Sequence, residues 1–403
     1  MIQWIVLLIL LCLGATFQVS QSVEDDANLS TMGLLQKYGY PAEEHIVNTD
    51  DGYILEMHRI PRPGSRPVFL MHGLLCSSAA FILMGPKNGL GYLLYDQGYD
   101  VWMGNSRGNT YSKNHVRFNE KQSEFWDFSF HELAVFDLPA SIDYVLHETN
   151  HTSLHYIGHS QGTTSFFILG SERPEYMKKI FLMQALAPIV FFQNCKSPPV
   201  VILGAADLTA TFLRMTGPDE FLPSDDFLTM FSRVLCDATR ISLKICKNTL
   251  FQFAGYSPTQ TNETMLPVVL GHTPAGASSR QILHYIQFRS SDEFQQFDFG
   301  LLQNRKRYSS LKPPKYNLSS VTAQVILYHS QNDLLGQPED VTRLYFALPN
   351  VVESYLVDLP SFNHLDFLWG VDAPELLFGR MFRNMRYAEE VADKAKETVY
   401  GWK

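Results

Sequence analysis

Apolar and polar positions follow two different rhythms along the chain. From Glu44 to Leu186, short apolar runs alternate with longer segments of helical spacing. Pro67–Met71 (PVFLM), Leu154–Ile157 (LHYI) and Ile180–Leu186 (IFLMQAL) have the continuous hydrophobicity of buried strands. Glu44–Arg59 reads as two strands around Asp50-Asp51-Gly52, because Asp-Gly between extended runs is a hairpin signal. Thr31–Tyr40 reads as a short helix ended by Gly39 and Pro41, and Leu90–Met103 as a helix and then a strand. Phe125–His147 suits one amphipathic helix, with Phe136, Leu138, Ile142, Val145 and Leu146 on its apolar side. Val23–Leu29 is acidic and polar and reads as a loose terminus.

The rhythm changes at Ala187-Pro188. From 188 to 311 strand–helix alternation is lost, and aromatic-rich pieces (Ile189–Phe192, Leu203–Met215, Phe227–Leu235, Thr249–Phe253) are broken by Gly217-Pro218, Pro223 and Pro267. Alternation resumes with strands Ala323–Tyr328 and Glu353–Val357 and a final helix over Ala373–Val391. Strands alternating with helices predict an α/β fold, a mostly parallel sheet with helices on both faces. The excursion predicts a mostly helical cap inserted over the sheet edge. The expected division is a core of residues 23–187 and 312–403 and a cap, or lid, of 188–311.

The N-terminus adds a compartment. Ile2–Phe17 is almost unbroken apolar, and Ser20 and Ser22 suit a cleavage site, so 1–22 reads as a secretory signal. It lacks Lys or Arg at its front, and an uncleaved anchor is the alternative; the run falls short of the roughly 20 residues a span needs. No later segment reads as membrane-spanning. Sequons at Asn28, Asn150, Asn262 and Asn317 fit glycosylation in the secretory pathway. Of five cysteines, Cys12 leaves with the signal. Cys76, Cys195, Cys236 and Cys246 allow three pairings; Cys236 and Cys246 are near enough for a local staple, whereas Cys76 and Cys195 equally suit buried free thiols. No Cys/His spacing suits zinc, so no metal or other cofactor is expected. A net charge of −9 without a basic stripe argues against nucleic acid as a partner.

Gly158-His159-Ser160-Gln161-Gly162 is G-x-S-x-G. By composition it arises by chance in a chain this long roughly one time in eight, so its context must carry the argument. A strand precedes it and Thr163–Leu169 continues as a helix, the strand–turn–helix of a nucleophile elbow. Asp333 and His364 each follow a later strand, which completes the order Ser…Asp…His of α/β hydrolases. Ser160 would attack, His364 would take and return its proton, and Asp333 would hold the imidazole. His72-Gly73-Leu74-Leu75 follows an early strand, where this class places one oxyanion amide; Leu74 and Gln161 are the candidate backbone donors. His159 reads as structural because neighbours on an elbow point apart. Asp340, Asp358 and Asp366 compete with Asp333, but Asp358 and Asp366 are too local to His364 to reach it from another strand end.

With these residues in place the chain resembles the acid lipase family of gastric and lysosomal lipases, its secreted insect members most. The resemblance rests on YGYPAEEHIVNTDDGYIL (38–55), HGLL (72–75), GYDVWMGNSRGN (98–109), EFWDFSFHELAVFDLPA (124–140), LHYIGHSQGTT (154–164), QNDLL (331–335) and NHLDFLWG (363–370), and so on nearly the whole mature chain. It implies the α/β-hydrolase fold, Ser160, Asp333 and His364 as triad, Leu74 and Gln161 as oxyanion donors, and a cap with a lid. It implies hydrolysis of neutral lipid esters (triglyceride or cholesteryl ester) at an oil–water interface, outside the cell, as in a gut lumen, or in the lysosome. The family's cap disulfide maps to Cys236–Cys246 with a spacing one residue longer here. A carboxylesterase for small soluble esters and a non-catalytic lipid carrier on the same fold are the competing readings.

Overall fold

The computed structural model describes residues 21–204, 220–221 and 240–400. Most of the signal segment and Cys236 therefore lie outside the described residues, as does the side chain of Cys246. Helices α1 (Gln21–Asn28) and α2 (Thr31–Lys37) lead to β1 (Glu43–Asn48), β2 (Tyr53–Ile60) and β3 (Pro67–Met71). Then come α3 (Leu90–Asp96), β4 (Asp100–Met103), β5 (Asn114–His115), α4 (Leu138–Thr149), β6 (Leu154–His159), α5 (Gln161–Glu172) and β7 (Ile180–Leu186). The segment after β7 holds α6 (Pro198–Leu203), β8 (Glu220–Phe221), α7 (Arg240–Ala254), α8 (Leu266–His272), β9 (Ala277–Ser278), α9 (Ser279–Ser291) and α10 (Leu301–Tyr308). The chain closes with β10 (Val325–His329), α11 (Pro338–Ala347), β11 (Val351–Leu356) and α12 (Gly379–Tyr400).

The sheet runs β1-β2-β4-β3-β6-β7-β10-β11, with β5 paired to β2. The β1–β2 and β2–β4 pairs are antiparallel, and every pair from β4 to β11 is parallel. Alternate residues of each strand face opposite layers. Val68, Leu70, Val101, Met103 and Ile157 share one core with Leu90 and Leu94 of α3 and Met381 and Met385 of α12. Phe69, Met71, Trp102 and Tyr156 share the other with Leu138, Ile142 and Val145 of α4 and Phe166 and Phe167 of α5. This is the doubly covered sheet that the continuous apolar runs predict. The order reverses around β3: β4 lies on one side of it and β6 on the other. The carboxyl ends of β3 and β6 therefore lie at a topological switch point, where open α/β sheets bind ligands.

Two expectations change. Residues 21–28 are helical, with Asp26 buried: its carboxylate accepts from Lys37 Nζ (2.6 Å) and Tyr38 OH (2.5 Å), and its carbonyl pairs with His272 Nε2 (3.0 Å). The segment is not a loose terminus, because partners 11 to 246 residues away supply what its own composition lacks. The single helix over 125–147 divides instead. Phe125, Trp126 and Phe128 pack with Tyr53 in a separate cluster. A capping box at Ser129 and Glu132 starts the helix proper, which passes through a π turn at Leu133–Asp137 into α4. The π turn serves a tertiary need: Asp137 is buried and its carboxylate accepts from Arg107 Nε at 2.7 Å.

The 188–311 segment is mostly helical among its described residues. It also enters the core: Val268 and Val269 of α8 join one apolar layer, and Tyr285 and Phe288 of α9 the other.

Candidate active site

The turn after β6 is sterically tight. Ser160 has φ +52 and ψ −117, a region a non-glycine residue enters only when its surroundings force it. Its N–H donates to Leu186 O (3.0 Å), and its carbonyl accepts from Thr163 N (2.8 Å) and Thr163 Oγ1 (2.6 Å). The flanking glycines make room. A Cβ at Gly162 would stand 2.2 Å from Met71 O, and one at Gly158 would stand 2.8 Å from the carbonyl of Gly162. Strand, serine and helix can approach this closely only without those side chains. Ser160 thus stands at the N-terminus of α5, whose first amides have no partner within the helix and whose dipole favours negative charge.

The turn after β3 lies alongside. A Cβ at Gly73 would stand 3.1 Å from the Cβ of Ser160. His72 anchors this turn. It is buried, its Nδ1–H donates to Gly73 O (2.8 Å), and its Nε2 accepts from Ser106 N (3.2 Å) and Asn109 Nδ2 (3.1 Å). Those donors require the neutral ring, and burial lowers its pKa to about 4. Leu74 is half-buried beside this anchor, and Gln161 is buried at the start of α5.

Asp333 follows β10 and His364 follows β11. Both are buried, and His364 Nδ1 lies 2.8 Å from Asp333 Oδ2. Asp333 Oδ1 accepts from Leu335 N (2.9 Å) and Gly336 N (2.8 Å). The acid therefore has a fixed orientation with one oxygen reserved for the imidazole, whose Nδ1 carries the hydrogen. The rival carboxylates are engaged elsewhere. Asp340 accepts from Asn194 N and Nδ2 (3.1 and 2.8 Å), Asp366 accepts from Asn363 N (2.8 Å), and Asp358 is exposed.

Four separated stretches thus meet at the carboxyl end of the sheet: a strained serine, an oriented Asp–His pair and a glycine turn against the serine. Comparison with known proteins points to the family and the fold. Residues 66–371 match the family profile of the alpha/beta hydrolase fold, and residues 31–85 match that of a partial alpha/beta-hydrolase lipase region. The chain is 43% identical to Lipase 1 of Drosophila melanogaster, over 94% of this chain and 86% of that protein. It is 39% identical to gastric triacylglycerol lipase of Rattus norvegicus, over 89% and 92%. The chain belongs to the acid lipase family. It is also 37% identical to lysosomal acid lipase/cholesteryl ester hydrolase of Macaca fascicularis, over 91% and 92%. Among solved structures, a soluble variant of monoglyceride lipase from Saccharomyces cerevisiae shares the fold at TM-score 0.51 and 16% identity, over 88% of this chain and 97% of that one.

In this acid lipase fold His159 has a role that its place on the elbow does not announce. It is buried, and burial above all lowers its pKa to about 3, so it is neutral. Its Nε2 lies 3.0 Å from the carbonyl of His364, to which it donates. Asn105–Asn109, legible only as a polar loop after a strand, proves to be the clamp on His72. Its Arg107 is buried between Asp51 and Asp137 and lies over the Tyr53 ring at 3.9 Å. Polar residues packed closely after a buried strand are the signal that could have marked this loop. Cys76 and Cys195 are buried free thiols. Asn28, Asn150, Asn262 and Asn317 are all exposed. Among the described residues no helix is long and apolar enough to cross a membrane.

Proposed function

We propose that the protein is a lipase that hydrolyses neutral lipid esters through a covalent acyl-serine intermediate. One observation carries this reading: the Asp333–His364 pair at 2.8 Å, both members buried after β10 and β11, at the same end of the sheet as the strained Ser160 elbow after β6. Ser160 Oγ is the nucleophile, and His364 Nε2 takes its proton as the ester carbonyl is attacked. Asp333 holds the ring with Nδ1 protonated and stabilises its cation. The amides of Leu74 and Gln161 receive the oxyanion, aided by the N-terminus of α5. His364 then protonates the departing alcohol, and water releases the acid by the same steps in reverse.

The relatives' names supply the substrate class, triacylglycerol in one and cholesteryl ester in another. Residues 188–311 act as the cap. Its exposed Ile202 (60%), Phe253 (44%) and Tyr256 (66%) offer apolar surface to lipid. The apolar N-terminal segment, the four exposed sequons and the family support delivery through the secretory pathway, outside the cell or to lysosomes. The family resemblance implies a cap disulfide between Cys236 and Cys246, which lies outside the described side chains.

Fatty-acid release from emulsified triolein and cholesteryl oleate, at acid and neutral pH, tests the reading. Wild type should act on at least one lipid, and more on emulsion than on dissolved ester, while Ser160→Ala should be inactive. A folded wild type without activity on either emulsion would refute it.

A further inference from the structure

The inserted segment does more than cover the sheet edge. At the end of α7, the turn Ala254-Gly255-Tyr256 lies between the loop carrying Asp333 and the loop carrying His364, and it is bonded to both. Ala254 O accepts from Leu334 N (3.2 Å) on the first loop and from His364 N (3.3 Å) on the second. Gly255 O accepts from Asn363 Nδ2 (2.8 Å), and Tyr256 O accepts from Asn332 Nδ2 (2.9 Å). Asn332 Nδ2 also donates to Ser361 O (2.8 Å), which ties the two loops directly. The start of the same insertion holds the other side of the acid loop, since Lys196 N and Ser197 N donate to Leu334 O (2.8 and 3.1 Å).

The approach is close enough to demand glycine. Gly255 has φ +120, and a Cβ there would stand 2.0 Å from Asn332 O. The neighbours of both functional side chains are therefore gripped by backbone carbonyls of the insertion. His364 is held twice, through its N–H by Ala254 and through its carbonyl by His159.

We propose that Gly255 and Asn332 are positioning residues: the 254–256 turn of the insertion sets His364 against Asp333 and makes this segment part of the catalytic framework. The proposal rests on the reading of Asp333 and His364 as the catalytic pair. It also explains why loops that leave two different strands keep a hydrogen bond at 2.8 Å. Misplacing a reacting group by about 1 Å costs on the order of 100-fold in rate.

The test uses the full chain, a water-soluble short-chain ester so that lipid binding does not intervene, and the variants Asn332→Ala and Gly255→Ala. Folding is checked by circular dichroism. Expected for folded Asn332→Ala is a kcat roughly 10- to 100-fold lower with KM within about twofold of wild type. The low-field proton resonance of His364 Nδ1–H should broaden or vanish. Gly255→Ala should show the same pattern more strongly. If it does not fold, Asn332→Ala decides, because it removes atoms and adds none. Wild-type kcat, a fall matched by a change in KM, or an unchanged resonance in folded Asn332→Ala would overturn the proposal. His364→Asn, run alongside, separates the two readings: if it keeps activity, the catalytic pair itself is misassigned.

Discussion

Asp333→Asn separates the charge and polarity of the acid from its shape. In the native site one carboxylate oxygen accepts two backbone N–H groups, from Leu335 and Gly336, and the other accepts His364 Nδ1–H. An asparagine has one oxygen and one NH2. If the oxygen keeps the two amides, the NH2 faces His364, and Nδ1 must become an acceptor. The ring's proton then sits on Nε2, and the nitrogen that should take the Ser160 proton is already protonated. The opposite orientation sets the NH2 against two N–H donors and leaves both unsatisfied, at about 1–3 kcal/mol each. The first is therefore favoured, and kcat should fall about 10⁴-fold, a barrier increase of roughly 5.5 kcal/mol. Stability should change little, because both amides keep their acceptor. Turnover on emulsified triolein and on a soluble ester, with thermal unfolding of the same preparations, measures both quantities. An Asp333→Asn enzyme retaining a tenth of wild-type kcat would refute the role given to the acid.

Other perturbations have equally definite outcomes. Gly162→Ala places a methyl 2.2 Å from Met71 O, so β3 or α5 must move; we expect a loss of about 3 kcal/mol and an inactive enzyme, read by thermal unfolding and ester turnover. Gly64→Ala is the control: φ is +82 with nothing within 4 Å of the new Cβ, and the cost should be about 1 kcal/mol. Burial raises the Asp366 carboxyl from 3.8 to about 7. Its folded pKa is raised, so its contribution is full below pH 4 and is lost as pH climbs through 7. That displacement corresponds to at most about 4 kcal/mol. Asp366→Asn should flatten this slope and gain on wild type near pH 8 in denaturant titrations across pH; an unchanged slope would count against a buried, protonated Asp366. His159 has the opposite sign, since a pKa lowered to about 3 stabilises the fold above 6.5 and ceases to as pH falls toward 3.

Much of this was legible in the chain. Strands Pro67–Met71 and Ile180–Leu186 begin and end with their apolar runs. The elbow follows from two glycines, a strand and a helix, because only residues without a Cβ permit that approach. Ser160, Asp333 and His364 could be ordered as candidates because each follows a strand, and parallel strands bring their carboxyl ends together whatever their separation in sequence. Local chemistry of that kind travels with the residues themselves.

Tertiary structure decided the rest. The helix at 21–28 exists against partners elsewhere in the chain, and the division of 125–147 answers to the burial of Asp137 with Arg107. Asp333, rather than Asp340 or Asp366, faces His364 because backbone amides orient its other oxygen, while the rival carboxylates are bonded to Asn194 and Asn363. Nothing in the composition of 188–311 foretells that Ala254-Gly255-Tyr256 would hold the Asp and His loops together. Those contacts run between backbone carbonyls and residues some 76 to 110 positions away, and main-chain atoms carry no side-chain signature. Periodicity and turn chemistry record what a segment does to itself; which carbonyl meets which loop depends on packing that no short stretch contains.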